Sequence, residues 1–182
     1  MVEGVIIQLT GMSGSGKTTL ARKTAQRLKT DGFNVEVIDG DEYRANVCKD
    51  LGFSKENRIE NIRRLGFIAK VLARNKIIVI ISAINPYESA RNRIKESFSN
   101  VLTIYIKCPL EELEKRDTKG LYARALLPQG DTNRIDNFTG ISDVYEEPQK
   151  PDLVIETDKE TVNESLKKMY DIILRSVSCQ TN

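Results

Sequence analysis

The chain has 182 residues, 40% hydrophobic and 30% charged, a composition that excludes a disordered or membrane-embedded protein and suits one domain, 1–182, with a full core. Its net charge of +2 excludes a broad basic stripe, so no nucleic-acid partner is expected and any anion site must come from local placement. The three cysteines, Cys48, Cys108 and Cys179, are far apart and form no C-x-x-C pair, which argues against a disulfide framework or a structural zinc and for a reducing compartment.

Short apolar runs alternate with longer amphipathic ones. The opening MVEGVIIQLTG lacks the basic start and long apolar centre of a signal peptide, and no run reaches the length of a membrane span, so a cytoplasmic location without membrane contact is expected. Val5 to Leu9 reads as a buried strand. Lys17 to Lys29 reads as a helix with Leu20, Thr24 and Leu28 at fourfold spacing. Asn34 to Ile38 is a second strand. Asn57 to Arg74 is a long helix with Ile62, Leu65, Ile68, Ala69 and Leu72 on one face. Ile77 to Ile84 is a fully buried strand, followed by a helix from Tyr87 to Phe98, whose start Pro86 permits. Val101 to Ile106 is a strand, and Pro109 suits the first position of a short helix through Arg116. Leu153 to Ile155 and Thr161 to Leu174 form the last strand and helix, with a frayed tail from Ser176 to Asn182. This alternation predicts an α/β fold, a parallel sheet with helices on both faces. The stretch 117–150 departs from it. It is rich in Gly, Pro, Asp and Asn, and a connection that long without a strand is usually functional, here a lid over a site.

Gly11-Met12-Ser13-Gly14-Ser15-Gly16-Lys17-Thr18 fits G-x-x-x-x-G-K-[ST] in full. Glycines let successive N–H groups turn inward at phosphate oxygens. Lys17 supplies a point charge at the β/γ-phosphates, and the Thr18 hydroxyl can ligate Mg²⁺. The helix behind the loop adds its N-terminal dipole. The motif follows the first strand and opens the first helix, as this mechanism requires, so an incidental Gly/Ser turn is the weaker reading. Gly11, Ser13, Gly14, Ser15, Gly16, Lys17, Thr18 and Thr19 are the expected ATP-binding set. No N-K-x-D guanine motif occurs, and small size with a lid favours a metabolite-kinase form of the P-loop nucleoside-triphosphate hydrolase fold.

The sequence contains no histidine. A general base must therefore be a carboxylate, a lysine, a tyrosine or the substrate itself, and a metal must take oxygen ligands, which suits Mg²⁺. Asp39-Gly40-Asp41 follows the second strand, where sites lie in open α/β sheets. Two carboxylates spaced i, i+2 beside a phosphate loop can organise Mg²⁺ water and accept a proton. Spacing alone leaves an Asp-Gly turn with a helix cap equally open. Arg58 and Asn61 are three apart on the long helix, and Arg44 can join them from the preceding one. Guanidinium groups suit sulfate or phosphate, and Phe53 can stack on a base. Charge pattern alone slightly favours a solvated basic helix face instead.

With these residues in hand, the chain resembles the adenylylsulfate kinases, which phosphorylate the ribose 3′-hydroxyl of adenosine 5′-phosphosulfate in sulfate activation. The likeness covers nearly the whole chain: G-M-S-G-S-G-K-T-T, D-G-D-x-x-R, K-D-L-G-F-S-x-x-N-R-x-E-N-I-R-R, I-N-P-Y, R-D-x-K-G-L-Y, N-F-T-G-I and Y-E-x-P-x-x-P, in that order. The resemblance implies ATP and Mg²⁺ as cofactors, adenosine 5′-phosphosulfate as acceptor and a homodimer. It implies that Asp41, Arg44, Phe53, Arg58 and Asn61 hold the acceptor, with Ile84, Asn85, Lys119 and Phe138 completing the pocket and Phe53 and Phe138 clamping the adenine. It makes Asp41 the preferred base, Asp39 a metal-side carboxylate with Thr18, and Lys17 the third catalytic residue.

Two features depart from the family pattern. The family usually carries a serine before the Pro-Tyr pair, often assigned as a phosphorylated intermediate, where this chain has Asn85. The segment from Ala125 to Asp136 is longer than the usual linker and does not match it, so Arg124 and Arg134 are only candidates for phosphate contact. A paralogous kinase for another nucleotide-like acceptor and a silent nucleotide-binding partner of a sulfurylase are the competing readings. Retention of Phe53, Arg58, Asn61 and Phe138 argues against the first, and of Lys17, Thr18, Asp39 and Asp41 against the second.

Overall fold

The computed structural model describes residues 4–117 and 119–178. Five strands, β1 (Val5–Thr10), β2 (Val35–Asp39), β3 (Ile78–Ser82), β4 (Val101–Lys107) and β5 (Leu153–Glu156), form a wholly parallel sheet in the order β2-β3-β1-β4-β5. Between them run α1 (Lys17–Thr30), α2 (Gly40–Asn46), α3 (Lys55–Ala73), α4 (Glu88–Ser97), α5 (Leu110–Arg116) and α6 (Leu121–Ala125), with α7 (Val162–Ser178) last.

The period-2 alternation of strand side chains divides the core into two layers. Val5, Ile7 and Leu9 of β1 pack with Leu20, Ala21, Ala25 and Leu28 of α1 and Met169, Ile173 and Val177 of α7. Ile6 of β1, with Ile38, Val79 and Ile81, faces Ile62, Leu65, Ala69 and Ala73 of α3 and Ala90 and Ile94 of α4. A third, small cluster of Cys108, Leu113, Tyr122, Ala125 and Phe138 supports the stretch beyond α5.

Two residues of β1 break the apolar run on the α4 side. Gln8 and Thr10 are fully buried and satisfied. The Gln8 amide donates to the Arg91 carbonyl and the Thr103 hydroxyl, at 3.1 and 2.8 Å. The Thr10 hydroxyl donates to the carbonyls of Ile84 and Asn85, both at 3.0 Å. These bonds lock the chain just beyond β3, at the carboxyl end of the sheet, where the site lies.

Several boundaries differ from the sequence expectation. Strand β3 stops at Ser82; beyond it the Ile84 carbonyl accepts from the Gly11 N–H at 3.2 Å and, with the Asn85 carbonyl, from the Thr10 hydroxyl. Pro109 sits one position earlier than expected, as the residue flanking α5, with extended φ/ψ of −59° and 145°. The expected tail at Ser176–Ser178 is helical and belongs to α7, while Cys179 to Asn182 lie outside the described residues. Among the described residues, no helix is long and apolar enough to cross a membrane.

Candidate functional site

The phosphate loop joins β1 to α1. Gly11, Gly14 and Gly16 hold φ of 152°, 75° and 98°, values that L side chains rarely adopt. Lys17 is buried beneath the loop, and its ammonium donates to the carbonyls of Gly11 and Met12 at 2.8 and 2.7 Å. Burial pulls its pKa down to about 7. The Asp41 and Asp39 charges oppose that shift and the Lys119 charge adds to it. The loop is braced from a distance: the Tyr122 hydroxyl donates to the Ser13 carbonyl at 2.8 Å and the Thr157 hydroxyl to the Ser15 carbonyl at 3.1 Å.

The two carboxylates after β2 have different surroundings. Asp39 is buried and caps α2, its Oδ1 accepting from the Asp41 N–H at 3.0 Å. Its Oδ2 accepts from the Thr18 hydroxyl at 3.2 Å, and Thr18 lies 3.2 Å from the Ser82 hydroxyl. The helix-cap reading of Asp39 holds, and the same side chain also faces the phosphate loop through Thr18. Thr18, Asp39 and Ser82 form an oxygen-only cluster beside the phosphate loop, a donor set that fits a hard divalent cation. Sequence reading missed Ser82; it stands opposite Asp39 in the β2–β3 register. Asp41 instead projects into the open, 81% exposed at the side chain, and meets Lys119 at 2.6 Å.

The basic helix divides in two. Arg58 and Asn61 are buried on the inner face of α3. Arg63 and Arg64 are surface groups paired with Glu60, whose carboxyl they hold down at about 2. Arg64 also grips Asp50 through two bonds of 2.7 Å, and Arg44 donates to the carbonyls of Leu51 and Gly52 at 3.2 and 2.9 Å. Together they fix the loop that presents Phe53. The Arg44 and Arg58 guanidiniums lie 4.6 and 5.5 Å from the centroid of that ring, which remains 56% exposed. The solvated-face reading describes Arg63 and Arg64 only.

The stretch 117–150 folds over this end. Asp117 anchors it, accepting from the N–H groups of Tyr122 and Ala123 at 3.0 and 2.9 Å, and those bonds hold its carboxyl below the usual range. Phe138 is buried, edge-on to Tyr122 at 5.0 Å. The turn after it seats directly on the phosphate loop: Gly140, at φ 90°, approaches Met12 so closely that an added Cβ would stand 2.5 Å from its sulfur.

One cavity of 820 Å³ gathers nearly every expected residue. Ser13, Gly14, Gly16, Lys17, Thr18 and Thr19 line one end. Arg44, Phe53, Arg58, Asn61, Ile84, Asn85, Lys119 and Phe138 line the other, with Asp39 and Asp41 between. Gly11 and Ser15 do not line it. Gly11 is pressed against the Ile106 carbonyl, and Ser15 is buried under the loop. Arg124 and Arg134 are not brought to the cavity either. Arg124 donates to the Asn133 carbonyl, and Arg134 pairs with Asp136 and donates to the Leu127 carbonyl, so both brace the lid internally. Asn85 does not cap α4: its amide donates to Gln8 at 3.2 Å, while the Glu88 N–H at that helix start is taken by Glu146 at 2.7 Å.

Known proteins supply the comparison for this geometry. The family model for adenylylsulphate kinase matches residues 3–156. An adenylyl-sulfate kinase of Halothermothrix orenii is 49% identical over 171 residues, 94% of this chain and 90% of the relative. One from Picosynechococcus is 46% identical, covering 91% of each. The solved APS kinase of Mycobacterium tuberculosis, in complex with AMPPNP and APS, superposes with a TM-score of 0.87 at 32% identity, over 96% of this chain and 99% of that one. Motif order, sheet topology and these likenesses agree across almost the full length, and the chain belongs to the adenylylsulfate kinase family.

Proposed function

We propose that this chain transfers the γ-phosphoryl group of ATP to the ribose 3′-hydroxyl of adenosine 5′-phosphosulfate, and that the two ends of the 820 Å³ cavity hold the two nucleotides. The observation that carries this reading is the lining itself: a phosphate loop at one end, the guanidiniums of Arg44 and Arg58, the amides of Asn61 and Asn85 and the rings of Phe53 and Phe138 at the other, and Asp39 and Asp41 between.

In this reading the loop N–H groups and Lys17 hold the ATP phosphates. Thr18 and Asp39 hold Mg²⁺, which supplies charge neutralisation as the phosphoryl group moves. Asp39 suits that role because both its oxygens are already turned toward the loop and the α2 start. Asp41, open to the cavity, takes the proton of the 3′-hydroxyl as its oxygen forms the new P–O bond and the bond to the ADP oxygen breaks. Lys119, already on Asp41, brings the lid to the reacting groups. Arg44, Arg58 and Asn61 bind the phosphosulfate end, with Ile84 and Asn85 shaping the wall, and Phe53 and Phe138 flank the adenine. Closing the lid excludes water, which would otherwise compete as acceptor. A single domain with its lid at 117–150, a homodimer and a cytoplasmic location complete the reading.

A coupled assay with ATP, Mg²⁺ and a panel of acceptors tests it. Adenosine 5′-phosphosulfate should be converted to its 3′-phospho form and AMP should be a poor acceptor. Equal turnover of AMP, or brisk turnover of another acceptor beside an inert adenylylsulfate, would overturn the assignment.

A further inference from the structure

We propose that Asp143 is a positioning residue for the acceptor, holding the Arg58 guanidinium in line while its own backbone closes the turn that carries Phe138; this rests on the acceptor-pocket reading of Arg58 above. Asp143 belongs to no motif that sequence reading assigned a role, and it does not line the cavity.

The geometry is specific. The Arg58 Nε lies 3.2 Å from Asp143 Oδ2, with side chains only 10% and 20% exposed. The Tyr87 hydroxyl donates to both carboxylate oxygens at 3.2 Å, and the Val144 N–H donates to Oδ1 at 2.9 Å. The Asp143 backbone completes the lid turn: its N–H donates to the Phe138 carbonyl at 3.1 Å, and its carbonyl accepts from the Gly140 N–H at 2.8 Å. One residue therefore joins α3, the approach to α4 and the turn that seats on the phosphate loop.

The chemistry at this position calls for a carboxylate. A guanidinium this buried needs a counter-charge, which the Asp143 carboxylate supplies as an ion pair, and Tyr87 and Val144 both present donors to the same two oxygens. An amide would turn an NH₂ group toward one of them. Arg58 is also held along one edge: Nε donates to the Phe53 carbonyl at 3.0 Å and Nη2 to the Asn137 carbonyl. Nη1 donates to none of the described residues. The fixed edge aims the remaining donors at the cavity, where the phosphosulfate group would bind. Arg58 thus reads the acceptor only when the lid turn is seated, because Asn137 and Asp143 are both part of that turn. The effect is on acceptor affinity, by way of Arg58, and not on the ATP end.

The test compares Asp143→Asn, Arg58→Ala and the double variant, each as the full chain and each checked by thermal unfolding. For Asp143→Asn, the KM and the calorimetric Kd for adenosine 5′-phosphosulfate should rise about tenfold, through the loss of a buried counter-charge to Arg58, while the KM for ATP changes about twofold or less. In the Arg58→Ala background, the same substitution should add nothing to the acceptor constants. Additive losses, or a lowered melting temperature with unchanged acceptor constants, would make Asp143 a structural brace and overturn the inference alone. An Arg58→Ala variant that binds adenylylsulfate normally would overturn the pocket reading and this inference with it. Tyr87→Phe keeps the carboxylate and serves where Asp143→Asn folds poorly: acceptor KM should stay within about twofold, since the ion pair survives. An acceptor loss as large as tenfold there would show that seating of the turn, not alignment of Arg58, sets affinity.

Discussion

The two ends of the cavity are built in opposite ways. The phosphate end is one unbroken stretch, Gly11 to Thr19, within which Lys17 reaches back to the carbonyls of Gly11 and Met12. The end we assign to the acceptor is assembled from α2, the loop before α3, α3 itself, the exit of β3 and the lid. A contiguous site is positioned by local backbone geometry and needs little from elsewhere. An assembled site is only as accurate as the contacts that join its pieces, here Arg64–Asp50, Arg58–Asp143 and the pairing of Lys119 with Asp41. The ends still communicate, since Tyr122 bonds to the Ser13 carbonyl and Gly140 packs on Met12. Seating the lid therefore also steadies the loop.

The hinge of this comparison is the pair Asp39 and Asp41, which belongs to both ends. Asp41→Asn keeps shape and removes proton acceptance, so turnover should fall by about 10²–10⁴ with adenylylsulfate binding largely kept. Asp39→Asn should act differently, raising the Mg²⁺ concentration needed for nucleotide binding, because Asp39 shares Thr18 with the loop. Single-turnover rates and Mg²⁺ titrations of nucleotide binding check both. A mild Asp41 variant beside a crippled Asp39 variant would reverse the assigned roles.

At the phosphate end, Lys17→Ala should lower turnover by roughly 10²–10³, the usual loss for one electrostatic contact to a transferring group. It should leave adenylylsulfate affinity nearly intact, which is how a self-contained end ought to behave. A subtler signature follows from burial, which sets the Lys17 pKa at about 7 in the folded chain against 10.5 ordinarily. The unfolded chain then binds more protons between those values, so Lys17 makes stability rise with pH across that window. Phosphate oxygens restore the charged form. At pH 8, nucleotide binding should therefore take up roughly one proton, visible in calorimetry across buffers of different ionisation heat and absent in Lys17→Met. No uptake in the unsubstituted protein would mean that the loop carbonyls already hold Lys17 charged.

The same contrast explains what was legible in the sequence. The phosphate loop was readable outright, because its chemistry and spacing sit in one segment. The order of the strands and the longer helices was readable from periodicity; their ends moved, as where β3 stopped at Ser82, and the short helices α2 and α6 had no bounds in that reading. The gathering of the residues we assign to the acceptor was suggested only by the joint order of their motifs. Spacing alone placed Arg58 and Arg63 on one basic helix and had no means of telling that the first is buried and the second exposed. The contacts of Asp143, Tyr87, Ser82 and Tyr122 were invisible, even where a quoted motif contained the residue, because each acts through a partner far away in sequence. Tyr87 and Asp143 are 56 positions apart, and no local pattern marks such a pair. Arg124 and Arg134 show the converse: charge in a lid suggested a phosphate contact, but the lid uses both to hold its own backbone.

The smallest expected effect belongs to Asn85, where the family's usual serine is replaced, and it probes whether the acceptor end takes any covalent part. Asn85 has φ 46°, in the left-handed region that asparagine tolerates better than most side chains. Its carbonyl accepts from Thr10 and from the buried Arg91, at 3.0 and 2.7 Å, and its amide reaches Gln8. The residue is thus a corner that carries the chain from β3 to the Pro-Tyr pair, and the amide has no hydroxyl to phosphorylate. Phosphoryl transfer should pass straight from ATP to the 3′-hydroxyl. Asn85→Ser should leave turnover close to that of the unsubstituted chain. It should lower stability in urea by about 1 kcal/mol, through the less comfortable φ and the lost bond to Gln8. With chiral γ-thiophosphate ATP, both proteins should invert configuration at phosphorus, since one in-line displacement inverts and two restore it. Retention in either protein, or a labelled protein that passes its phosphate to adenylylsulfate, would show that a side chain at the acceptor end carries the phosphoryl group on its way, and the division between a chemically active loop and a merely positioning acceptor pocket would fall.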